Sequence, residues 1–383
     1  MPALSIEPVE HPRLSSDFVE LPWRLNADDP DWVAPLRMAL NKLLDRNHYP
    51  FYRYGDAAFF LARRGKEVVG RIAAIENRLH AEKYKDGVGF FGFFECEDDV
   101  QACRALLQEA SRWLKDKGYG SIRGPVNYSL NDECPGVLYE GFNGIPLLLM
   151  AHNPRYYARL LSDAGMAKCM DLYAYLVTRN TMADERFARV MQAVRRRAPK
   201  VELRQVRTSG KGFREDIESM LDIFNQAWRE NWGFVDVTPP EVDAIAADLK
   251  PIVRPELTSI ATFEGKPIGM MVCVPNVNEI LHDIPDGKLW PNGWWKLLWR
   301  MKNIRGFRTM LMGVTPEYRN RGIDALMIDQ IISNGRKAGF LYCELSWVLE
   351  NNEGMNSLAQ KAGGNLYRKY RLFEATNDRI LQP

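Results

Sequence analysis

The chain has 383 residues, 46% of them hydrophobic, which is enough for two ordinary domains rather than one core. Its 51 Lys and Arg against 49 Asp and Glu leave a formal charge of +2, so no global field draws it to nucleic acid, and no nucleic-acid partner is expected. The 6 cysteines and 5 histidines are scattered without a CxxC pair or a metal-ligand spacing, so neither a disulfide framework nor a metal site is expected.

The first residues, MPALSIEPVEHPRLSSDF, are acidic and Pro-rich with no apolar core segment, so no signal peptide is expected. No apolar run reaches the roughly 18 residues a membrane span needs, and a cytoplasmic location is the expectation. Residues 18–50 read as loop, with a short helix around Pro35 to Leu44. Two β-rich runs in AFFLARRGKEVVGRIAAIENRLH flank Arg64-Gly65-Lys66 and predict a hairpin. VGFFGFFECEDD predicts a third strand. Asp98 or Asp99 then caps a helix in which Val100, Cys103, Leu106, Leu107, Ala110, Trp113 and Leu114 keep the 3.6-residue period, and Gly118 ends it. A strand at Ser121 to Arg123, the polar loop GPVNYSLNDECPGVLYEGFNG, a helix from Asn153-Pro154 to Gly165 and a strand over MDLYAYLV follow.

A basic amphipathic segment, Asp184 to Arg197, predicts a linker helix. VELRQVR predicts a strand, and Asp216 to Asn231 a helix with Ile217, Met220, Leu221, Phe224 and Trp228 on one face. Glu241 to Leu249 predicts a second helix, and SIATFEGKPIGMMVCVPNVNEIL two strands about Gly265-Lys266. Then come an apolar run from Met310 to Val314, a turn, a helix from Ile323 to about Lys337 stopped by Gly339, and a strand from Leu341 to Val348. A helix over NEGMNSLAQKAGG and a strand over YRKYRLFEA close the chain. Hairpin, strand, helix, strand, helix, strand thus occurs twice. Gly65-Lys66 corresponds to Gly265-Lys266, and the helix ending at Gly165 to the one ending at Gly363. This predicts a domain over 1–180, a linker helix over 181–200 and a second domain over 201–383.

The turn Arg319-Asn320-Arg321-Gly322 is basic and opens a helix. A helix N-terminus exposes unpaired N–H groups and the positive end of its dipole, and so suits a phosphate. Arg319, Asn320, Arg321, Gly322, Ile323, Asp324 and Ala325 are therefore the expected contacts to a coenzyme pyrophosphate. Gly322 lets the backbone come close, and the arginines can fork onto phosphate oxygens. The competing reading is an exposed basic helix cap.

Arg319-x-x-Gly322, after a strand and opening a helix, resembles motif A of the GNAT acyltransferase superfamily (Q/R-x-x-G-x-G/A). Glu344-Leu345-Ser346, Asn351-Asn352 and the helix ending Lys361-Ala362-Gly363 resemble that family's next strand and helix. The segments VGRIAAIEN, GFFGFFE, GPVNYSLNDE, EGFN and NPRYY make the whole chain similar to a tandem-GNAT group that includes the bacterial ceramide synthases. The resemblance implies an α/β fold of two GNAT-like domains, each a mixed, mostly antiparallel sheet flanked by helices. It implies an acyl-CoA-dependent N-acyltransferase acting on a sphingoid base, 3-ketosphinganine or sphinganine, to give a ceramide precursor. Long-chain acyl-CoA would be a co-substrate, with no tightly bound cofactor, and the acceptor a lipid-like amine. The resemblance places the acyl-CoA site in the C-terminal domain, where Met312, Gly313 and Val314 would offer backbone N–H groups to thioester and pantetheine and Asn352 would join the coenzyme contacts. The N-terminal copy carries acids at the matching place (GFFECEDD) and is expected to be degenerate. Two positions depart from the family pattern: Asp324 stands where Gly or Ala is preferred, and Ala359 where many members carry a proton-donating Tyr.

Thioester aminolysis needs a base for the amine, donors for the developing oxyanion and a proton for the thiolate. Candidate bases are His282 and Asp283 after the second hairpin, Glu344 on a strand, and Glu133 in the polar loop with Asn127, Asn131 and Asp132. Tyr367 and Tyr370 are candidate proton donors. Each has an ordinary alternative: a surface His, a salt-bridged strand acid, an Asx-rich turn or a packed aromatic. Within the 282–308 insertion, Trp290, Trp294, Trp295 and Trp299 interleave with Lys296, Arg300, Lys302 and Arg305. That pattern suits peripheral contact with an inner membrane through Trp290 to Arg308, or the entry of a greasy substrate; a helix packing its Trp face on the core is the equal alternative. Two other functions stay open, a GNAT N-acetyltransferase for a small-molecule or peptide amine and a non-catalytic acyl-CoA or lipid-binding module.

Overall fold

The structure is a computed structural model that describes residues 2–130, 135–181, 191–192, 194–196, 198–291 and 293–382. Its compact units are not contiguous halves of the chain. One comprises Met1–Leu172, Asn278–Trp299 and Arg368–Pro383; the other comprises Tyr173–Val277 and Arg300–Tyr367. Asn278–Trp299, placed by its sequence position in the C-terminal domain, thus belongs to the first unit. No helix among the described residues is long and apolar enough to cross a membrane.

In the first unit, β1 (Leu4–Val9), β2 (Gly55–Arg64), β3 (Glu67–Asn77) and β4 (Val88–Cys96) pair antiparallel in that order. β5 (Ser121–Gly124) adds parallel to β4. The next strand comes from the far end of the chain: Phe373–Thr376 of β13 (Asn365–Thr376) pair antiparallel with β5, and Lys369–Arg371 with β6 (Val137–Glu140). Helix α4 (Val100–Asp116) covers the sheet because its 3.6-residue stripe is apolar. Leu106, Leu107, Ala110 and Leu114 join Ile72, Ala74, Phe91 and Ile122 in the core, with Leu160 and Leu161 of α5 (Tyr157–Asp163). Truncating a fully buried leucine such as Leu106 to Ala costs about 2–5 kcal/mol.

Two elements of this unit were not expected: β1 lies in the Pro-rich start of the chain, and α1 runs into the residues read as loop. β1 forms although it contains Pro8, because an edge strand tolerates a missing N–H. α1 (Ser16–Leu25) forms with Pro22 inside it; Ser15 caps it by accepting from the Phe18 N–H at 3.3 Å.

In the second unit, β8 (Val201–Arg204), β9 (Thr258–Phe263), β10 (Lys266–Pro275) and β11 (Gly306–Val314) pair antiparallel, and β12 (Tyr342–Leu349) adds parallel to β11. Helix α6 (Gly210–Trp228) packs Ile223 and Phe224 onto Ile260, Met270 and Val272. α10 (Ile323–Lys337) and α11 (Glu353–Lys361) follow β11 and β12. Much of the expected linker helix (182–190, 193 and 197) lies outside the described residues; Met191 and Val194 pack on Ala325 and Leu326.

The register shows the duplication directly. Each hairpin skips one residue at the same place, between Val68 and Gly70 in β3 and between Pro267 and Gly269 in β10. This sets Gly65 against Glu264 and Lys66 against Gly265, one residue away from the Gly-Lys match in the sequence. Glu264 (φ 52°) takes the left-handed turn position that Gly65 (φ 63°) takes in the first hairpin.

Candidate active site in the second unit

β11 and β12 share a ladder only over Gly306–Thr309 and Tyr342–Leu345, although the strands run on to Val314 and Leu349. Beyond Thr309 they part. From Met310 onward the edge of β11 that faced β12 therefore has no partner strand among the described residues, while the other edge stays paired with Gly269–Val272. Helix α6 lies along this end of β11. The Trp228 indole N–H donates to the Met312 carbonyl at 2.8 Å, and a Cβ on Gly313 would stand 2.8 Å from that of Ala227.

The matching place in the first unit is filled. The β4–β5 ladder ends at Phe90 and Arg123. The Val126 N–H then donates to the Phe91 carbonyl at 2.7 Å, and the Phe93 N–H to Asn127 Oδ1 at 2.8 Å. The helix that follows is capped by its own acid, since Asp99 accepts from the N–H groups of Gln101 and Ala102. Helix α10 starts instead at Gly322 (φ 77°) with no side-chain cap, after Asn320 at φ 60°. Its first amides, Ile323 and Asp324, have no carbonyl earlier in the helix to bond.

Around this turn Arg319 and Arg321 are exposed. Arg319 donates to the Ala227 carbonyl at 2.5 Å; Arg321 donates to that of Glu317 at 3.1 Å and lies 5.0 Å over the Tyr318 ring. Asp324 Oδ1 accepts from the Ala325 N–H at 2.8 Å and so occupies one of the helix's end donors. A Cβ on Gly322 would stand 2.7 Å from a Val194 methyl; the neighbour for which this glycine makes room is Val194. Ile323 and Ala325 are buried. Asn352 caps α11, its Oδ1 accepting from the Met355 N–H at 3.1 Å. Ala359 is buried in the same helix.

Glu344 and Tyr367 come together. Glu344 is the register partner of Arg308, one pair before the strands part, and both side chains are 0% exposed. Ser346 Oγ donates to Glu344 Oε1 at 2.6 Å and accepts from Arg308 Nε at 2.9 Å; the guanidinium lies 3.7 Å from Oε1 and 4.2 Å over the Trp347 ring. The Tyr367 hydroxyl donates to Glu344 Oε2. Tyr367 is half-buried. A phenol bonded in this way can pass its proton inward while its oxygen accepts another.

His282 and Asp283 belong to the first unit and are exposed. His282 Nε2 is 2.8 Å from the Pro30 carbonyl, and the Asp283 carbonyl accepts from Lys296 at 2.6 Å. Glu133, with Asn131 and Asp132, lies outside the described residues. Sequence reasoning passed over Arg308 and Ser346. The available signal was one charge inside each of two apolar runs, FRTMLMGV and YCELSWVL, which a parallel register sets side by side.

No protein-family model matches the chain. It is 36% identical, over 97% of its own length and 97% of the relative's, to the bacterial ceramide synthase of Caulobacter vibrioides. The chain is a tandem-GNAT acyltransferase of the bacterial ceramide synthase family. This acyl-transferring enzyme is also 34% identical to Protein YghO of Escherichia coli, over 93% of the chain and 91% of that protein. Its fold is that of a tandem GNAT protein from the clavulanic acid biosynthesis pathway, with a TM-score of 0.57 at 11% identity, covering 98% of this acyltransferase and 99% of that chain. The expected architecture of mixed, mostly antiparallel sheets flanked by helices is the one the acyltransferase has.

Proposed function

We propose that the enzyme N-acylates a sphingoid base, 3-ketosphinganine or sphinganine, with a long-chain acyl-CoA, giving a ceramide or its keto precursor. The parting of β11 and β12 beside a glycine-capped helix, with Glu344 and Tyr367 at the point of parting, carries the proposal. The lipid substrate is favoured by the 36% identity to a protein named for ceramide synthesis. In this reading the enzyme meets its acceptor at a membrane surface and is peripheral to it.

The residues present fit acyl-CoA as a substrate. The end amides Ile323 and Asp324 with the exposed Arg319 and Arg321 suit the pyrophosphate, and Asn320 lies in the same turn. Asp324 Oδ1 takes the Ala325 N–H, which leaves the Ile323 and Asp324 amides for the phosphate. The edge of β11 that loses β12 beyond Thr309 suits the pantetheine amides at Met312, Gly313 and Val314, with the Met312 carbonyl already held by Trp228, and Asn352 holds the start of α11. In the reaction a C–N bond forms and the C–S bond breaks; an ammonium acceptor gives up two protons, one to the leaving thiolate and one to solvent. Tyr367 accepts a proton from the attacking nitrogen while passing its own to Glu344, and the reverse transfer returns a proton to the sulfur. Arg308 and Ser346 hold Glu344 for this exchange. The pair thereby takes the place of the helix Tyr missing at Ala359.

The test is thiol release from palmitoyl-CoA and acetyl-CoA with a sphingoid base. Long-chain turnover is expected to exceed acetyl turnover, and Tyr367→Phe to lower kcat by about 10²-fold or more with acyl-CoA binding retained. Preference for acetyl-CoA, or binding of acyl-CoA without turnover on any amine, sinks the proposal.

A further inference from the structure

Helix α9 (Gly293–Arg300) is seated by one side only. Gly293 is buried, and a Cβ there would stand 2.6 Å from the Lys288 carbonyl oxygen and 3.3 Å from Ile284. Trp294 and Leu297 are half-buried on the same side. Trp295, Leu298 and Trp299, spaced i, i+3, i+4, form one stripe that faces outward, 61%, 63% and 84% exposed; Trp290 just before the helix is 77% exposed. The alternative in which this Trp face packs on the core does not hold. Trp295 stacks on Trp294 at 4.4 Å and turns the rest of its surface outward.

Along this stretch of sequence the charges are of one sign, with Glu20 of α1 within electrostatic reach of Lys288. Between Gly287 and Gly306 the sequence has no Asp or Glu, but has Lys288, Lys296, Arg300, Lys302 and Arg305, in a chain whose charges otherwise nearly balance. The acids nearest in sequence are Asp283 and Asp286, and Lys296 reaches back to the Asp283 carbonyl. Indole rings favour the headgroup level of a bilayer, and Lys and Arg beside them extend to lipid phosphates. A symmetric pairing of two copies over the same stripe would set Lys296 and Arg300 near their own images, which is unfavourable.

We propose that α9 docks the enzyme on an anionic bilayer, with Trp290, Trp295, Leu298 and Trp299 entering the headgroup region and Lys288, Lys296 and Arg300 facing the phosphates. The inference rests on the proposed lipid acceptor only for its purpose; the exposed stripe and its charges carry it. The test is flotation of the full-length protein with vesicles of phosphatidylcholine alone and with vesicles that also contain phosphatidylglycerol. Binding to the mixed vesicles is expected, weaker binding to the neutral ones, and a loss of about tenfold or more in Trp295→Ser/Trp299→Ser and in Lys288→Glu/Lys296→Glu. All four side chains are exposed, and unchanged circular dichroism of the variants is expected. Acyl transfer to a short, water-soluble amine is expected to be unaffected in both variants, so loss of that activity in the unmodified enzyme counts against the acyltransferase proposal and leaves the docking result standing. Three outcomes overturn the inference: no flotation with either vesicle, a dimer in light scattering that the Trp variant dissociates while vesicle binding is absent, or loss of soluble-substrate turnover without any change in flotation.

Discussion

Replacing Glu344 by Gln keeps the side chain's volume and removes its charge. In the structure that charge lies 3.7 Å from the Arg308 guanidinium, and both side chains are 0% exposed. Breaking a buried ion pair from one side costs about 3–5 kcal/mol, because the remaining ion stays in a low-dielectric place beside a neutral group. The hydrogen bonds from Ser346 and Tyr367 can still be made to a Gln carbonyl in part, so the lower end, about 3 kcal/mol, is expected for Glu344→Gln. Urea unfolding followed by circular dichroism reads this as a midpoint lower by about 1–2 M. Because the protein has two compact units, the effect should fall on one transition and leave the other in place. Pairing Arg308→Met with Glu344→Leu removes both charges; the double variant should be less destabilised than the sum of the singles, by about 1–3 kcal/mol of coupling. A Glu344→Gln midpoint indistinguishable from the unmodified enzyme, or a strictly additive cycle, would refute the reasoning that these charges neutralise each other.

Gly322→Ala places a methyl 2.7 Å from Val194 at a φ of 77°, and is expected to cost about 1–3 kcal/mol and to raise the KM for acyl-CoA; an unchanged melting temperature and KM count against the assigned turn. Asp216, 0% exposed, has its carboxyl held well below the usual range: burial raises it, but hydrogen bonds from Arg204 and Arg207 outweigh burial. Its stabilisation is then fully present above the unfolded value of about 4 and fades as pH falls below that. Asp216→Asn should therefore cost about 1.5–3 kcal/mol at neutral pH and progressively less under acid, and a cost that does not change with pH contradicts the assignment. Tyr367→Phe removes one hydrogen bond and should lower stability by only about 1 kcal/mol while lowering kcat far more; parallel losses would mark a packing residue.

The elements legible in the sequence are those whose own pattern is strong. The two hairpins, α4 and α10 follow from period and turn residues, and the duplicated order of elements from comparing them. β1 and α1 were hidden by Pro8 and Pro22, which weaken local signals that tertiary pairing restores. Glu344 and Tyr367 were named one by one, but their partners were not. The register that sets Arg308 beside Glu344 joins parallel strands separated by a whole helix, and no local pattern encodes it. His282 and Asp283 drew notice as a polar pair after a strand; both are exposed in the first unit, with His282 Nε2 at the Pro30 carbonyl. The exposed face of α9 was undecidable from sequence, because an apolar i, i+3, i+4 stripe reads the same whether it meets a core or a membrane.

The strand that β13 adds beside β5 bears on how the protein comes into being. Phe373–Thr376 pair with Ser121–Gly124, and Arg371 is bound to Asp171 at 2.8 Å, so the first unit includes residues made long after β5. A ribosome adds about 5–20 residues per second, so the early sheet waits through the synthesis of about 250 further residues with β5 short of a neighbour. Such an edge invites pairing with another nascent chain. The enzyme's yield in a cell should then depend on what shields β5 during that interval, and loss of Phe373–Thr376 should harm the early sheet.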